Sequence, residues 1–79
     1  MQQTRIPRQR VLKGAKIIFN NGTSVLDCTV KNVSEGGAAL HIPSTGGVPA
    51  EFVLEIADEP RRPCRVVWRR EGRIGVRFT

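Results

Sequence analysis

Asn32, Ser34, Gly36 and Gly37 are the residues of this chain best suited to binding chemistry. An amide and a hydroxyl two residues apart can pair with a polar ring edge, since the amide both donates and accepts and the hydroxyl does either. The two glycines permit positive φ and let another group approach the backbone closely. The competing use of the same residues is an Asx or Ser turn that satisfies its own backbone. The stretch joins two alternating segments, Leu26, Cys28 and Val30 before it and Ala38, Leu40 and Ile42 after it, so it is predicted to connect two half-buried strands.

Three arginines, Arg5, Arg8 and Arg10, precede the first strand signal. Guanidinium forks onto phosphate oxygens or onto the O6 and N7 edge of guanine, and it stacks on purine faces. The formal net charge is +6, a balance that favours anionic partners such as nucleotides, nucleic acid or an acidic protein face. The cations are grouped. Arg5 to Lys16 holds five and no acid, and Arg61 to Arg77 holds seven arginines against Glu71 alone. Alternation places Arg65, Arg69 and Arg77 of this second set on the outer side of their strands, where a solvated face that draws anions inward is expected. Trp68 shares the register of Cys64 and Val66 and is predicted to be core.

No catalytic constellation is present in the sequence. His41 has no nucleophile partner, the carboxylates fall at strand flanks and turns, and no Lys-Ser/Thr pair or helix follows the glycines as a phosphate loop needs. The chain is therefore expected not to be an enzyme. Cys28 and Cys64 with one His make no recognisable zinc set, and reduced core thiols are expected. No apolar run approaches the roughly 20 residues needed to cross a bilayer, and the N-terminus lacks an apolar signal core, so a cytoplasmic location without membrane insertion is expected.

These groups need a frame, and the sequence predicts an all-β one. A chain of 79 residues makes one small domain, which buries only roughly 60% of its unfolded surface. Residues 1–12 read as a flexible basic arm and 13–79 as the folded domain. Strands are predicted at 13–20, 23–32, 37–42, 50–57, 61–70 and 73–78. Asn20-Asn21-Gly22 marks a hairpin, Asp58-Glu59-Pro60 a turn, and Glu71-Gly72 a tight turn. Pro63 belongs at the start of its strand or on an edge. Six short strands with evenly spaced turn signals point to an antiparallel barrel or sandwich.

An arginine-rich lead-in, two strands, Asn32-x-Ser34-x-x-Gly37 and a closing Arg73-Ile74-Gly75-Val76-Arg77-Phe78 occur in the order that resembles the PilZ domain, the bacterial receptor module for cyclic di-GMP. That family carries an R-x-x-x-R motif before its first strand and [D/N]-x-S-x-x-G near the end of the second. The second motif is met in full. In the first, the position four before Arg8 is Thr4, and the nearest arginine is Arg5, three before it. The resemblance implies a six-stranded antiparallel β-barrel and cyclic di-GMP as ligand, with no other cofactor. It implies contacts from Arg5, Arg8, Asn32, Ser34, Gly36 and Gly37, with Arg10 flanking. It also implies that ligand orders the arm and changes the surface shown to a downstream protein. The family usually adds a helix after the last strand. This chain stops at Thr79, so one barrel mouth is expected to be less covered, and a homodimer that hides it is a further expectation.

Two other functions stay open at this stage. One is a PilZ-like adaptor that has lost the ligand and acts by protein–protein interaction. The other is a small basic barrel for single-stranded nucleic acid, which the scarcity of aromatic residues disfavours.

Overall fold

The computed structural model describes residues 9–43 and 47–79. Six strands, β1 (Gln9–Phe19), β2 (Ser24–Val33), β3 (Gly37–His41), β4 (Glu51–Ile56), β5 (Arg62–Arg70) and β6 (Arg73–Phe78), form a closed antiparallel barrel in the order β1-β2-β3-β6-β5-β4. No helix occurs among the described residues. Closure comes from β1, which pairs with β2 on one side and with β4 on the other, so the sheet has no free edge along Ala15–Ile18.

Alternation decides what is inside. Ile17, Val30, Leu40, Leu54 and Ile74 are fully buried, and the same rhythm brings in Ala15, Cys28, Ala38, Phe52, Ile56, Cys64 and Val76. Ile42 and Val48 cap the core from the connection between β3 and β4. Both cysteines are free and buried, and burial pushes the Cys28 thiol up to about 11 and the Cys64 thiol to about 12. These are inert core groups rather than nucleophiles.

The turns follow the sequence signals. Asn20, Asn21 and Gly22 all adopt positive φ and close the β1–β2 hairpin, with Gly22 N donating to Phe19 O at 3.1 Å. Gly72, at φ 76°, closes β5–β6, and Asp58 takes the left-handed conformation between β4 and β5.

Five expectations change. β1 starts at Gln9, so residues 9–12 of the expected arm belong to the barrel sheet. Leu26 lies at the hairpin end of β2 and is exposed, despite its inward register. Gly36 and Gly37 do not use positive φ. Trp68 is not core: it is 39% exposed. Val66 pairs with Val76, but Trp68 pairs with Gly75, and the one-residue bulge at Val67 flips every following side chain to the opposite face. Arg69 accordingly sits opposite Ile74, off the outer register expected for it.

Candidate functional site

A second bulge sets the position of Asn32. Val30 pairs with Leu40 in the core, whereas Asn32 pairs with Ala39, so the extra residue Lys31 turns Asn32 to the outer face of the barrel. From Asn32 a cross-strand row continues through Ala39 on β3 and Gly75 on β6 to Trp68 on β5. Two bulges, at Lys31 and Val67, thus bring an amide and an indole to the same row.

Between these two side chains the floor is nearly bare. Gly37, Ala39 and Gly75 are the outward positions of β3 and β6 at this point, and none carries more than a methyl group. The indole lies over Gly75, where a Cβ would overlap Nε1 and Cε2. Roughly 10 Å, two strand spacings, separates Asn32 from the strand beneath the indole. Cations border the floor on both sides. Arg77 pairs with Gly37 and with Arg65, while Arg73 pairs with His41 and with Arg70. The Arg70 guanidinium stands 5.9 Å from the centre of the Trp68 ring. Arg65 is engaged by Glu51, its Nε donating to Oε2 at 3.1 Å. Among the described residues neither Arg73 nor Arg77 has an ion-pair partner.

The motif residues have distinct states. Asn32 Oδ1 is buried and accepts no hydrogen bond among the described residues. Leaving such an acceptor unpaired costs about 1–3 kcal/mol, so a self-satisfying Asx turn does not account for it. Ser34 does serve its own turn. Its N donates to Gly37 O at 2.8 Å and its hydroxyl reaches the same oxygen at a long 3.5 Å, which leaves the hydroxyl only loosely engaged. Gly36 O accepts from Phe78 N at 2.8 Å, pinning the β2–β3 turn to the end of β6. Gly37 is needed for close approach, as the sequence suggested, but the approaching group is the chain's own Val76 carbonyl. Arg10 pairs with Asn32 across β1 and β2. Arg5 and Arg8 lie outside the described residues.

Asn32, Ser34, Gly36 and Gly37 are therefore brought together. Sequence reasoning missed Trp68, Arg77 and Arg73 as their neighbours. Alternation did put Arg65 and Arg77 outward, but treating them as a separate solvated face hid their place beside the motif. Nothing in the local sequence marks the bulge that carries Trp68 to this face.

Comparison with known proteins agrees with the barrel fold. The family model described as PilZ domain matches residues 2–79. A solved structure, described as the PilZ domain of CeSA from a cellulose-synthesizing bacterium, superposes with a TM-score of 0.68. It is 18% identical, and the match covers 92% of this chain and 80% of that one. No curated protein sequence matches this chain.

Proposed function

This chain belongs to the PilZ domain family, a family of cyclic di-GMP receptors, and from that premise we propose that it binds cyclic di-GMP on the outer face between Asn32 and Trp68. The observation that carries the proposal is the unpaired buried Oδ1 of Asn32 at the edge of a floor with no side chain larger than a methyl group between it and the Trp68 indole. Rotation about the Asn32 χ2, a broad torsion, uncovers that oxygen to accept from guanine N1–H or N2–H. The Trp68 indole, partly exposed and shared with the Arg70 guanidinium, offers a stacking surface for a purine, and Arg77 and Arg73 offer uncommitted guanidinium groups to phosphodiester oxygens. Ser34 adds a hydroxyl, and Gly36 leaves its surroundings open. Arg5 and Arg8 precede β1, whose Arg10 pairs with Asn32, and in this reading they add guanidinium contacts to the ligand.

PilZ domains act as ligand-binding adaptors rather than enzymes. In this chain the signal is a change, on ligand binding, in the surface offered to a downstream protein. Among the described residues no helix is long and apolar enough to cross a membrane.

Calorimetric titration with cyclic di-GMP, the linear dinucleotide, GMP and a single-stranded oligonucleotide tests the proposal. Micromolar or tighter binding of the cyclic ligand alone, lost in Arg8→Ala and Ser34→Ala, is expected. Silence with every nucleotide gives the ligand-free adaptor instead. Oligonucleotide binding that weakens steeply with salt gives the nucleic-acid barrel, which the exposed Trp68 makes a necessary control.

A further inference from the structure

The chain contains three asparagines, and the fold leaves one of them in a reactive setting. Asn32 is followed by the β-branched Val33 within β2, and its Oδ1 is buried. Asn20 is held by its own turn, its Nδ2 donating to Ser24 Oγ at 2.9 Å. Asn21 is exposed, its side chain makes no hydrogen bond among the described residues, and the next residue is Gly22. Nothing lies within 4 Å of where a Cβ on Gly22 would stand, so no side chain shields its backbone nitrogen.

The tip that carries Asn21 is held by β1 and β2 alone. β4 pairs with β1 only as far as Ile18, and β3 pairs with β2 only from Thr29 onward. Beyond those pairs the hairpin projects, with Val25 and Leu26 exposed. Asn20, Asn21 and Gly22 all sit at positive φ, which side-chain-bearing residues seldom adopt. Two backbone bonds close the turn, Gly22 N to Phe19 O at 3.1 Å and Thr23 N to Asn20 O at 3.0 Å. A solvent-exposed segment with so few neighbours opens locally while the rest of the barrel stays folded.

We propose that Asn21 is a site of spontaneous covalent modification, converting through a cyclic succinimide to aspartate and isoaspartate. When the tip opens, the Gly22 N–H leaves Phe19 O and gives its proton to solvent base. The nitrogen attacks Asn21 Cγ. The N–Cγ bond forms, the Cγ–Nδ2 bond breaks, and the amide nitrogen departs as ammonia after taking a proton from water. Water then opens the ring. Attack at Cγ restores the main chain as aspartate, whereas attack at the main-chain carbonyl leaves the chain running through Cγ as isoaspartate. The only co-reactant is water. Either product lowers the net charge of +6 by one. Isoaspartate also adds a backbone carbon to a turn built on three successive positive φ values, so the β1–β2 hairpin closes less well. The Asn32 motif lies at the other end of β2, which keeps this chemistry separate from ligand binding.

Incubation of the folded protein at mildly alkaline pH, followed by peptide mapping in a mass spectrometer, tests the proposal. Methylation by an isoaspartate methyltransferase gives a second readout of the same product. Conversion at Asn21 is expected to be at least about tenfold faster than at Asn20 or Asn32. In urea Asn21 is expected to convert faster still, because the Gly22 N–H is then free of Phe19 O. Hydrogen exchange reads the opening directly. The Gly22 amide is expected to exchange at least about tenfold faster than that of Ile17, which has a strand on each side. Asn21→Gln, checked for folding by circular dichroism, is expected to accept no methyl groups at the hairpin. Asn21 left intact in the folded protein while the urea-unfolded chain converts overturns the proposal, and so does equal conversion at Asn20 or Asn32.

Discussion

The indole of Trp68 lies over the Cα of Gly75, its cross-strand partner, so closely that a Cβ at position 75 would fall within the ring. Bulge and glycine are interdependent here. The bulge at Val67 turns the indole outward, and only a residue without a side chain lets it lie against the sheet.

Gly75→Ala is accordingly expected to lift the indole from its seat rather than to break the barrel, because the obstructing atoms belong to a side chain that can move. Stability should fall by about 1 kcal/mol, read from the urea midpoint. Tryptophan emission should shift to the red with stronger iodide quenching as the ring enters solvent. An unchanged spectrum would show that the ring does not depend on Gly75.

Gly37 makes the opposite case. A Cβ there would overlap the Val76 carbonyl oxygen, which is backbone held in the β3–β6 ladder, so no side chain can give way. Gly37→Ala is expected to cost about 1–3 kcal/mol. Gly36→Ala, with open space around the new methyl and ordinary φ, is expected to stay within about 0.5 kcal/mol. Equal costs at the two positions would contradict the close-approach role of Gly37.

The buried thiols predict an alkaline limit. Cys28 and Cys64 stay protonated in the folded state up to about pH 11 and about pH 12, against an ordinary 9.0, chiefly because burial penalises the thiolate. Above pH 9 the unfolded chain has lost protons that the folded chain retains, so stability falls as pH rises from the unfolded to the folded value and is fully present below it. The urea midpoint of wild type should hold steady from about pH 7 to 9 and then decline. Cys28→Ala and Cys64→Ala should start lower but decline less steeply, and native thiols should react with a disulfide reagent only at the unfolding rate near pH 8. Equal slopes in all three proteins would remove the thiols as the cause.

The barrel was legible because its inner face is written as a period of two. Ile17, Val30, Leu40, Leu54 and Ile74 fall on the buried side wherever the strand ends are placed. The motif hairpin was legible from Asn32, Ser34 and Gly37, since the flanking strands alternate up to Val30 and from Ala38 onward, but the bulge at Lys31 that turns Asn32 outward was not. Trp68 was not, because a one-residue bulge carries no local signature and reverses the face of whatever follows it. The fit of Trp68 over Gly75 depends on a strand pairing that the order of residues leaves unstated. Arg77 illustrates a milder form. Its outward direction was evident, yet only the pairing of β6 with β3 sets it beside Gly37.

Asn32 separates binding from stability most sharply. Its Oδ1 is desolvated and accepts nothing among the described residues, so the folded apo-protein carries a cost that only a donor can relieve. Asn32→Leu removes that acceptor along with the amide and keeps a similar volume. The apo-protein is expected to unfold at the same urea concentration or a higher one, by about 1 kcal/mol. Cyclic di-GMP affinity is expected to fall at least about tenfold, because guanine N–H groups then meet a methyl group. If the amide instead holds the β2–β3 turn, the variant will lose about 1–3 kcal/mol of stability, and any binding defect will follow that loss. Denaturation of the apo-protein and calorimetric titration of the same preparation distinguish the two, since only a ligand-facing amide lets the two quantities move in opposite directions.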